Sequence, residues 1–347
     1  MILNPERLGR DLPELPKGNL APDEIGELVS ASIGGSIPHD CLRLTGMNPD
    51  LGLTAFDFRH HYQADLGFAQ LVGGYAGDDP CEPANLARLP TPVGITVEPA
   101  KNGRPATRAQ EILSGHGLGS ELRLLLRDST GVWGMLALLR EVGRAPFGRA
   151  DAERAAALTK PLLGTLRSYV TAAPVRVTTP NPPPGVLMVG ADHRVRALTQ
   201  EARDWLERLR QPRPDQLAGT LTTQVALAAR RAAAEGRSTS ALVGVPTSYV
   251  GQWLAVHAQP VLGDDSGDVA VIVQAAGGEL LLSMVAPWYG ITAREQVVAK
   301  YVYEGLAPKQ IARRLNLSVY TVNDYLKALF RKTGTHGRDE FVAVVSA

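Results

Sequence analysis

The sequence predicts an α+β protein, with two α+β domains in succession followed by a smaller all-helical domain. Three observations predict it. Residues 121–170 run from a strand-turn-strand pattern into a long helical one. Residues 186–274 read as two strands, two helices and three further strands. From 279 onwards the pattern is helical throughout, and a stretch with five prolines in 15 positions, TAAPVRVTTPNPPPG at 171–185, divides the first region from the rest.

The N-terminal segment, 1–24, contains acidic residues and prolines and no apolar core stretch, so it is not expected to act as a secretory signal. In the first domain, 25–170, Leu122 to Leu126 and Val132 to Leu139 have strand length and are joined by the turn Asp128-Ser129-Thr130-Gly131. A loop through Pro146 leads to a helix from about Asp151 to Val170. Residues 78–108 are rich in Pro, Gly and Asp and are expected to form loops over the sheet, with a small apolar pocket beneath them.

The second domain, 186–275, opens with GVLMVGADHRVRAL, two strands around an Asp-His turn. A helix around Trp205 and another over Gln224 to Ala234 follow. ALVGV, WLAVHAQPV and DVAVIVQ then supply three antiparallel strands, the last two separated by turn residues Gly263 to Gly267. A softer boundary lies at AAGGE, 275–279. The third domain, 279–347, is expected to hold helices at about 280–288, 293–304, 308–315, 319–332 and 338–346. Gly305 closes one of these, and Pro308 opens the next at its favoured first-turn position.

Composition narrows the function classes. Hydrophobic residues make up 44% of the 347 and charged residues 20%, an ordinary balance for a soluble globular protein. No apolar run approaches the ~18 residues of a membrane span, so no membrane partner is expected. Two cysteines give no disulfide framework, and the cytoplasm is the simplest compartment. The net charge of +1 hides an asymmetry. Residues 290–347 carry nine cations and five anions, a net +4, which leaves −3 for the first 289 residues. A basic end on a weakly acidic body suits a polyanionic partner.

Several chemistries lack their residues. There is no G-x-x-x-x-G-K-[ST] phosphate loop, and no acidic pair follows an apolar strand near the start. His39, Cys41, His60, His61, Cys81 and His116 are metal-ligating types, but they lack CxxC or HxxxH spacing. Trp133 and Trp253 sit in strand patterns and read as core. With no Ser-His-Asp or paired-carboxylate arrangement, neither enzymatic activity nor a cofactor is expected.

The chemistry-bearing stretch is LAPKQIARRLNLSVYTVNDYL, two helices joined by Asn316-Leu317-Ser318, the geometry by which a second helix enters the DNA major groove. Ile311, Leu315, Val322 and Leu326 would pack the pair together. With Val322 at zero on a helical wheel, Leu326, Leu329, Phe330 and Thr333 fall within about 80° of it. Tyr320, Asp324, Lys327 and Arg331 point the opposite way. Ser318 is the N-cap and Gly334 the stop.

Over its whole length, ITAREQVVAKYVYEGLAPKQIARRLNLSVYTVNDYLKALFRKTGTHGRDEFV resembles the LuxR-type helix-turn-helix domain. The matching features are Thr292 with Arg294-Glu295, Glu304-Gly305-Leu306, Lys309 with Ile311-Ala312, Leu315, Ser318, Thr321-Val322, Leu326, Lys332 with Gly334, and Arg338 with Glu340. The resemblance implies a recognition helix from Val319, with Asn323, Asp324 and Lys327 at base-reading positions. It places Lys309, Ser318, Tyr320, Thr321, Arg331 and Lys332 at backbone-holding or groove-flanking positions. Two residues depart from the family pattern: Tyr325 replaces a common histidine, and Asn323 stands where a lysine or arginine is common.

Residues 25–170 resemble a GAF-type sensor, mainly through GLGSELRLLLRDSTGVWGMLALLRE, and residues 183–275 resemble a PAS-type domain. The expectation is a regulator that binds double-stranded DNA as a homodimer and senses a small molecule or a partner through its N-terminal domains. The homodimer is expected from Phe341, Val342, Val344 and Val345, apolar residues at a chain end with little left to cover. The alternatives are a haem or metal redox sensor and a ligand-free interaction scaffold. Asp324 has two readings of its own: a local ion pair with Lys327, or a groove-facing carboxylate that accepts from a cytosine amino group.

Overall fold

The structure is a computed structural model that describes residues 20–49, 52–74, 81–97, 106–173, 182–210, 217–236, 241–262 and 267–346, together with Leu12, Glu14, Asp79 and Val175. Most of the 1–24 segment, much of the proline-rich linker, residues 98–105 and the turn at 263–266 lie outside the described residues. The chain divides into two compact units: Met1–Tyr169 with Arg213–Ala228, and Val170–Pro212 with Ala229–Ala347.

The first unit contains α1 (Pro22–Gly34), β1 (Cys41–Met47), β2 (Thr54–His60), α2 (Ala64–Gly74), α3 (Pro83–Leu86), β3 (Val93–Val97), α4 (Arg108–Gly115), β4 (Leu118–Asp128), β5 (Gly131–Glu141), α5 (Arg149–Ala157) and most of α6 (Thr159–Ala172). The strands form one antiparallel sheet in the order β2-β1-β5-β4-β3. The β4–β5 hairpin turns where the side chain of Asp128 folds back. Its Oδ1 accepts from the Thr130 amide (2.8 Å) and from Trp133 Nε1 (2.9 Å). Trp133 is core, at 2% exposure.

The two faces of this sheet differ in kind. On one, Phe56 and Phe58 pack against Tyr169, the first tilted at 5.1 Å between ring centroids and the second edge-to-face at 4.8 Å. Gly46 lies opposite Phe56 in the register, and a Cβ there would collide with the ring. On the other face the register aligns Arg59, Arg43, Ala137, Arg123 and Gly94 in one row across all five strands. All three arginines are buried and paired. Asp57 Oδ2 accepts from Arg43 Nε (2.9 Å) and Arg59 Nε (2.7 Å), while Arg123 pairs with Glu121 and Asp79. Burial pushes the Asp57 carboxyl up, but the two guanidiniums outweigh it and hold the group below the usual carboxylate range.

Two expectations need correction in this unit. Residues 78–108 are not all loop, because Val93–Val97 is the edge strand β3, paired with β4. Its Val-Gly-Ile-Thr-Val composition suits a strand, despite the Pro- and Gly-rich flanks. Strands β1 and β2 lie where the sequence predicts no element. The expected helix over 151–170 is two helices, interrupted at Leu158, whose amide reaches Ala155 O at 2.9 Å.

The second unit begins with β6 (Gly185–Val189), β7 (Val195–Leu198) and α7 (Gln200–Arg210). It takes in the end of α8 (Leu217–Ala234), then β8 (Ala241–Val245), α9 (Thr247–Val250), β9 (Leu254–Pro260) and β10 (Val269–Ala275). Its sheet runs β7-β6-β10-β9-β8, again all antiparallel, so both sheets share one strand order. Trp205 and Trp253 are core. The β6–β7 turn is held by Arg230, whose guanidinium donates to Val189 O (2.9 Å), Gly190 O (2.6 Å) and Gly267 O (2.9 Å). The helix expected over Gln224–Ala234 starts earlier, at Leu217, and its part up to Ala228 belongs with the first unit. There the Gln224 side chain caps the β2 edge, accepting from the Thr54 amide at 3.0 Å and donating to Thr54 O.

Five helices complete the second unit: α10 (Gly278–Trp288), α11 (Ala293–Tyr303), α12 (Pro308–Leu315), α13 (Val319–Thr333) and α14 (Arg338–Ser346). Their boundaries lie within about two residues of those expected. Among the described residues, no helix is long and apolar enough to cross a membrane.

Candidate nucleic-acid interface

Local chemistry sets each boundary of α11 to α13. Thr292 caps α11, its hydroxyl accepting from the Glu295 amide while the Glu295 carboxylate accepts from the Thr292 amide (2.7 Å). Gly305, at φ 87°, turns the chain, and Pro308 occupies the first turn of α12. Asn316 takes a left-handed conformation (φ 53°, ψ 47°) that ends α12, and the Leu317 amide reaches back to Ala312 O at 2.9 Å. Two residues later Ser318 caps α13, its hydroxyl accepting from the Thr321 amide at 3.0 Å. Gly334, at φ 71°, closes the helix.

This tight Asn316–Ser318 connector presses α12 on α13 through Ile311 and Val322, both 0% exposed, and Leu326. Leu315 is half-buried. Leu329 and Thr333 continue the buried stripe of α13, and Phe330 is partly covered, its ring centroid 5.9 Å from that of Phe341. Phe341 (1%) and Val345 (2%) are buried within their own helical group, so they do not provide the free apolar end from which a dimer was expected. Val342 and Val344 are only half-buried.

The opposite side of α13 is open. Tyr320 is 75% exposed, and Asn323, Asp324, Lys327 and Arg331 are exposed along the same stripe. The nine cations of this region divide into two groups. Lys300 pairs with Glu279 (2.7 Å), Arg314 lies 3.7 Å from Glu304, and Arg338 donates to Leu306 O (2.8 Å). Lys332, expected at the DNA backbone, has all three of its N–H groups engaged internally. Its Nζ donates to Gly290 O (2.7 Å) and to both oxygens of Glu295 (2.9 and 2.6 Å). Burial raises the Glu295 carboxyl, but Lys332 and the Thr292 amide more than reverse this and leave it below its ordinary value.

Arg294, Lys309, Arg313, Lys327 and Arg331 form the second group. They are exposed, and among the described residues none has an acidic partner within ion-pair distance. Lys309 and Arg313 sit one turn apart on α12, as do Lys327 and Arg331 on α13. Arg294 and Arg313 are exposed cations beyond those the family resemblance implies at DNA, and the four-residue spacing of Arg313 from Lys309 is its signal in the sequence. The ion pair considered between Asp324 and Lys327 is also not formed, and Asp324 has no other cation partner among the described residues.

The metal-ligating residue types of the first unit are occupied differently. His39 lies between Ser30 Oγ (2.9 Å) and Ile37 O (2.7 Å), the His60 and His61 rings meet tilted with centroids 4.0 Å apart, and His116 approaches Ile112 O at 2.7 Å. Burial pushes the Cys41 thiol up to about 11, with Asp40 and Glu141 adding to the effect, and raises Cys81 as well. Among the described residues no three His, Cys, Asp or Glu side chains are disposed to hold a metal ion.

Residues 290–345 match the family of bacterial regulatory proteins, luxR family. A probable transcriptional regulator, ycf29, of Cyanophora paradoxa is 51% identical over 51 residues, 15% of this chain and 24% of that protein. The response regulator Rre1 of Synechocystis sp. is 49% identical over 51 residues, 15% of this chain and 22% of that protein. The match thus spans about a quarter of the length of these curated relatives. Among solved structures, a phycoerythrobilin-bound GAF domain from a cyanobacterial phytochrome is 15% identical (49% of this chain, 97% of that chain, TM-score 0.33). The N-acylhomoserine lactone dependent LuxR family factor CepR2 of Burkholderia cenocepacia is 14% identical (47% of this chain, 92% of that chain, TM-score 0.29). At such scores neither likeness carries an argument about fold or ligand. The matched residues coincide with α11 to α14, the capped connector and the exposed basic stripe, and the C-terminal region of this chain is a LuxR-family helix-turn-helix domain.

Proposed function

We propose that the chain is a sequence-specific DNA-binding transcriptional regulator whose N-terminal domains bias the DNA-binding competence of the C-terminal domain. The observation that carries this reading is the division of cations in the C-terminal region. Four are held by protein partners, and five are exposed with no acidic partner among the described residues, four of them on the two helices of the helix-turn-helix. Exposed cations without partners are available to phosphates, and the stripe Tyr320, Asn323, Asp324, Lys327 presents the side chains that would meet base edges. Ser318 and Thr321, at the N-terminus of α13, would approach the backbone, where helix amides favour anions. Lys332 drops out of this surface because Glu295 holds it.

The domain plan proposed is a sensor-like region at 25–170, a linker at 171–185, a second sensor-like region at 186–275 and the DNA-binding domain at 279–347. The common strand order of the two sheets supports reading them as paired modules of one general kind, GAF-like and PAS-like. We place the signal, a small molecule or a partner, in these modules, and the protein in the cytoplasm as a homodimer on DNA. The deciding experiment is selection of fragments from genomic DNA by the full-length protein, followed by titration of a recovered fragment against scrambled DNA. Enrichment of a common motif, bound at least about 10³-fold more tightly than scrambled sequence, is expected. Equal binding of both would remove the regulator reading.

A further inference from the structure

Asp324 is the residue of the exposed α13 stripe that neither packing nor attraction to phosphate accounts for. It is a carboxylate on a surface where the nearby exposed charges are positive, and against a polyanion it is repulsive. Lys327 lies three residues on, on the same side of the helix, where side chains are about 5–6 Å apart at Cβ. The two are nevertheless not paired, and both are exposed. An acceptor and a donor are therefore presented side by side, each without an ion-pair partner among the described residues.

We propose that Asp324 and Lys327 together read a single C·G base pair. In the major groove a C·G pair sets the cytosine N4 amino group, a donor, beside the guanine O6 and N7 acceptors. Asp324 accepts from the cytosine amino group, and Lys327 donates to guanine O6 or N7 of the same pair. Reversing the pair brings guanine O6 to the carboxylate, and replacing cytosine by thymine brings O4 and a methyl group. In both cases acceptor faces acceptor. The carboxylate thus lowers affinity for DNA in general and recovers it only where an amino donor, cytosine N4 or adenine N6, stands at that position. The two acceptors of guanine, O6 and N7, against the single O4 of thymine, let Lys327 favour C·G over A·T. Asn323, beside Asp324, has the amide geometry that pairs with adenine N6 and N7, and would read the neighbouring step.

This inference rests on the DNA-binding reading, and the test separates the two. Sites are selected from a random duplex library with the full-length protein. The best site and all its single-base variants are then titrated with the parent, Asp324→Ala and Lys327→Ala. The parent is expected to discriminate against replacement of one particular C·G pair by about tenfold or more. Asp324→Ala should lose that discrimination at that position alone, while binding random DNA more tightly than the parent. Lys327→Ala should weaken preference at the same position and bind random DNA less tightly. Identical ranking of the variants by the parent and Asp324→Ala overturns the inference and leaves the regulator reading intact. So does a lost preference at any pair other than C·G. If the parent selects no sequence over random DNA, the inference and sequence-specific binding fail together.

Discussion

Lys332 Nζ lies 2.6 Å from Glu295 Oε2, while that same oxygen accepts from the Thr292 amide at 2.7 Å, so one carboxylate ties the end of α13 to the start of α11. The angle at which the exposed stripe of α13 is presented therefore depends on an acidic side chain that is itself 5% exposed.

Lys332→Ala is expected to destabilise the C-terminal domain by about 1–3 kcal/mol, since it leaves a largely buried carboxylate with only the capping amide. The pH dependence has a definite sign. The Glu295 carboxyl lies below its ordinary value in the folded state, so its contribution is fully present above the unfolded value of about 4.5 and fades as pH falls through the folded value. Urea denaturation of the parent and of Glu295→Gln at pH 7 and pH 4 measures this. Equal loss of stability on acidification in both proteins would show that the contact contributes nothing.

Lys309, Arg313 and Arg331 should each act as phosphate contacts without sequence preference. Replacing any of them by Ala is expected to weaken binding to all DNA and to lower the salt slope by about one. Lys332→Ala serves as the contrast, because its ammonium is already engaged, and its salt slope should match the parent's. A reduced slope for Lys332→Ala would place that side chain on DNA after all.

Asp57→Ala should be costly. The carboxylate is 1% exposed and is shared by Arg43 and Arg59, so its removal leaves two buried guanidiniums without it. A loss of about 3–5 kcal/mol is expected, a large share of the ~5–15 kcal/mol that stabilises a typical domain. Denaturant titration of the full chain followed by tryptophan fluorescence reports it. A change below about 1 kcal/mol would mean that water replaces the carboxylate without penalty.

Cys41 should alkylate slowly. With its thiol pushed up to about 11, only about one molecule in a thousand is thiolate at pH 8, and the rate should rise about tenfold per pH unit up to that value. Mass-spectrometric tracking of iodoacetamide labelling between pH 7 and 10 tests this, and rapid labelling at pH 7 would contradict the burial argument.

What the sequence revealed follows from how each segment is buried. The β4–β5 hairpin was legible because Asp128 and Gly131 mark its turn, and helices α11 to α13 because Thr292 and Ser318 cap, Pro308 opens, and Asn316 and Gly334 close them. Strands β1 and β2 were not, since Arg43, Thr45, Asp57 and Arg59 interrupt their apolar runs. Arg43 reaches Asp57 across 14 positions and Thr45 reaches Met135 across 90, which no local period reveals. Similarly, the exposed stripe of α13 could be drawn on a helical wheel. The capture of Lys332 could not, because Glu295 stands 37 positions earlier.

The shared strand order has a consequence for synthesis. In each sheet the strand made first ends beside the strand made last, as with Thr45 on β1, whose hydroxyl bonds to Met135 O 90 positions later. A nascent β1 therefore emerges with one flank unpaired and waits for β5, and β6 waits for β10 in the same way. Such long-range closure slows folding and keeps edges open while it lasts. Each module can complete its centre only when its last strand has left the ribosome, so translation speed across β4–β5 and β9–β10 sets how long those unfinished edges are exposed to aggregation.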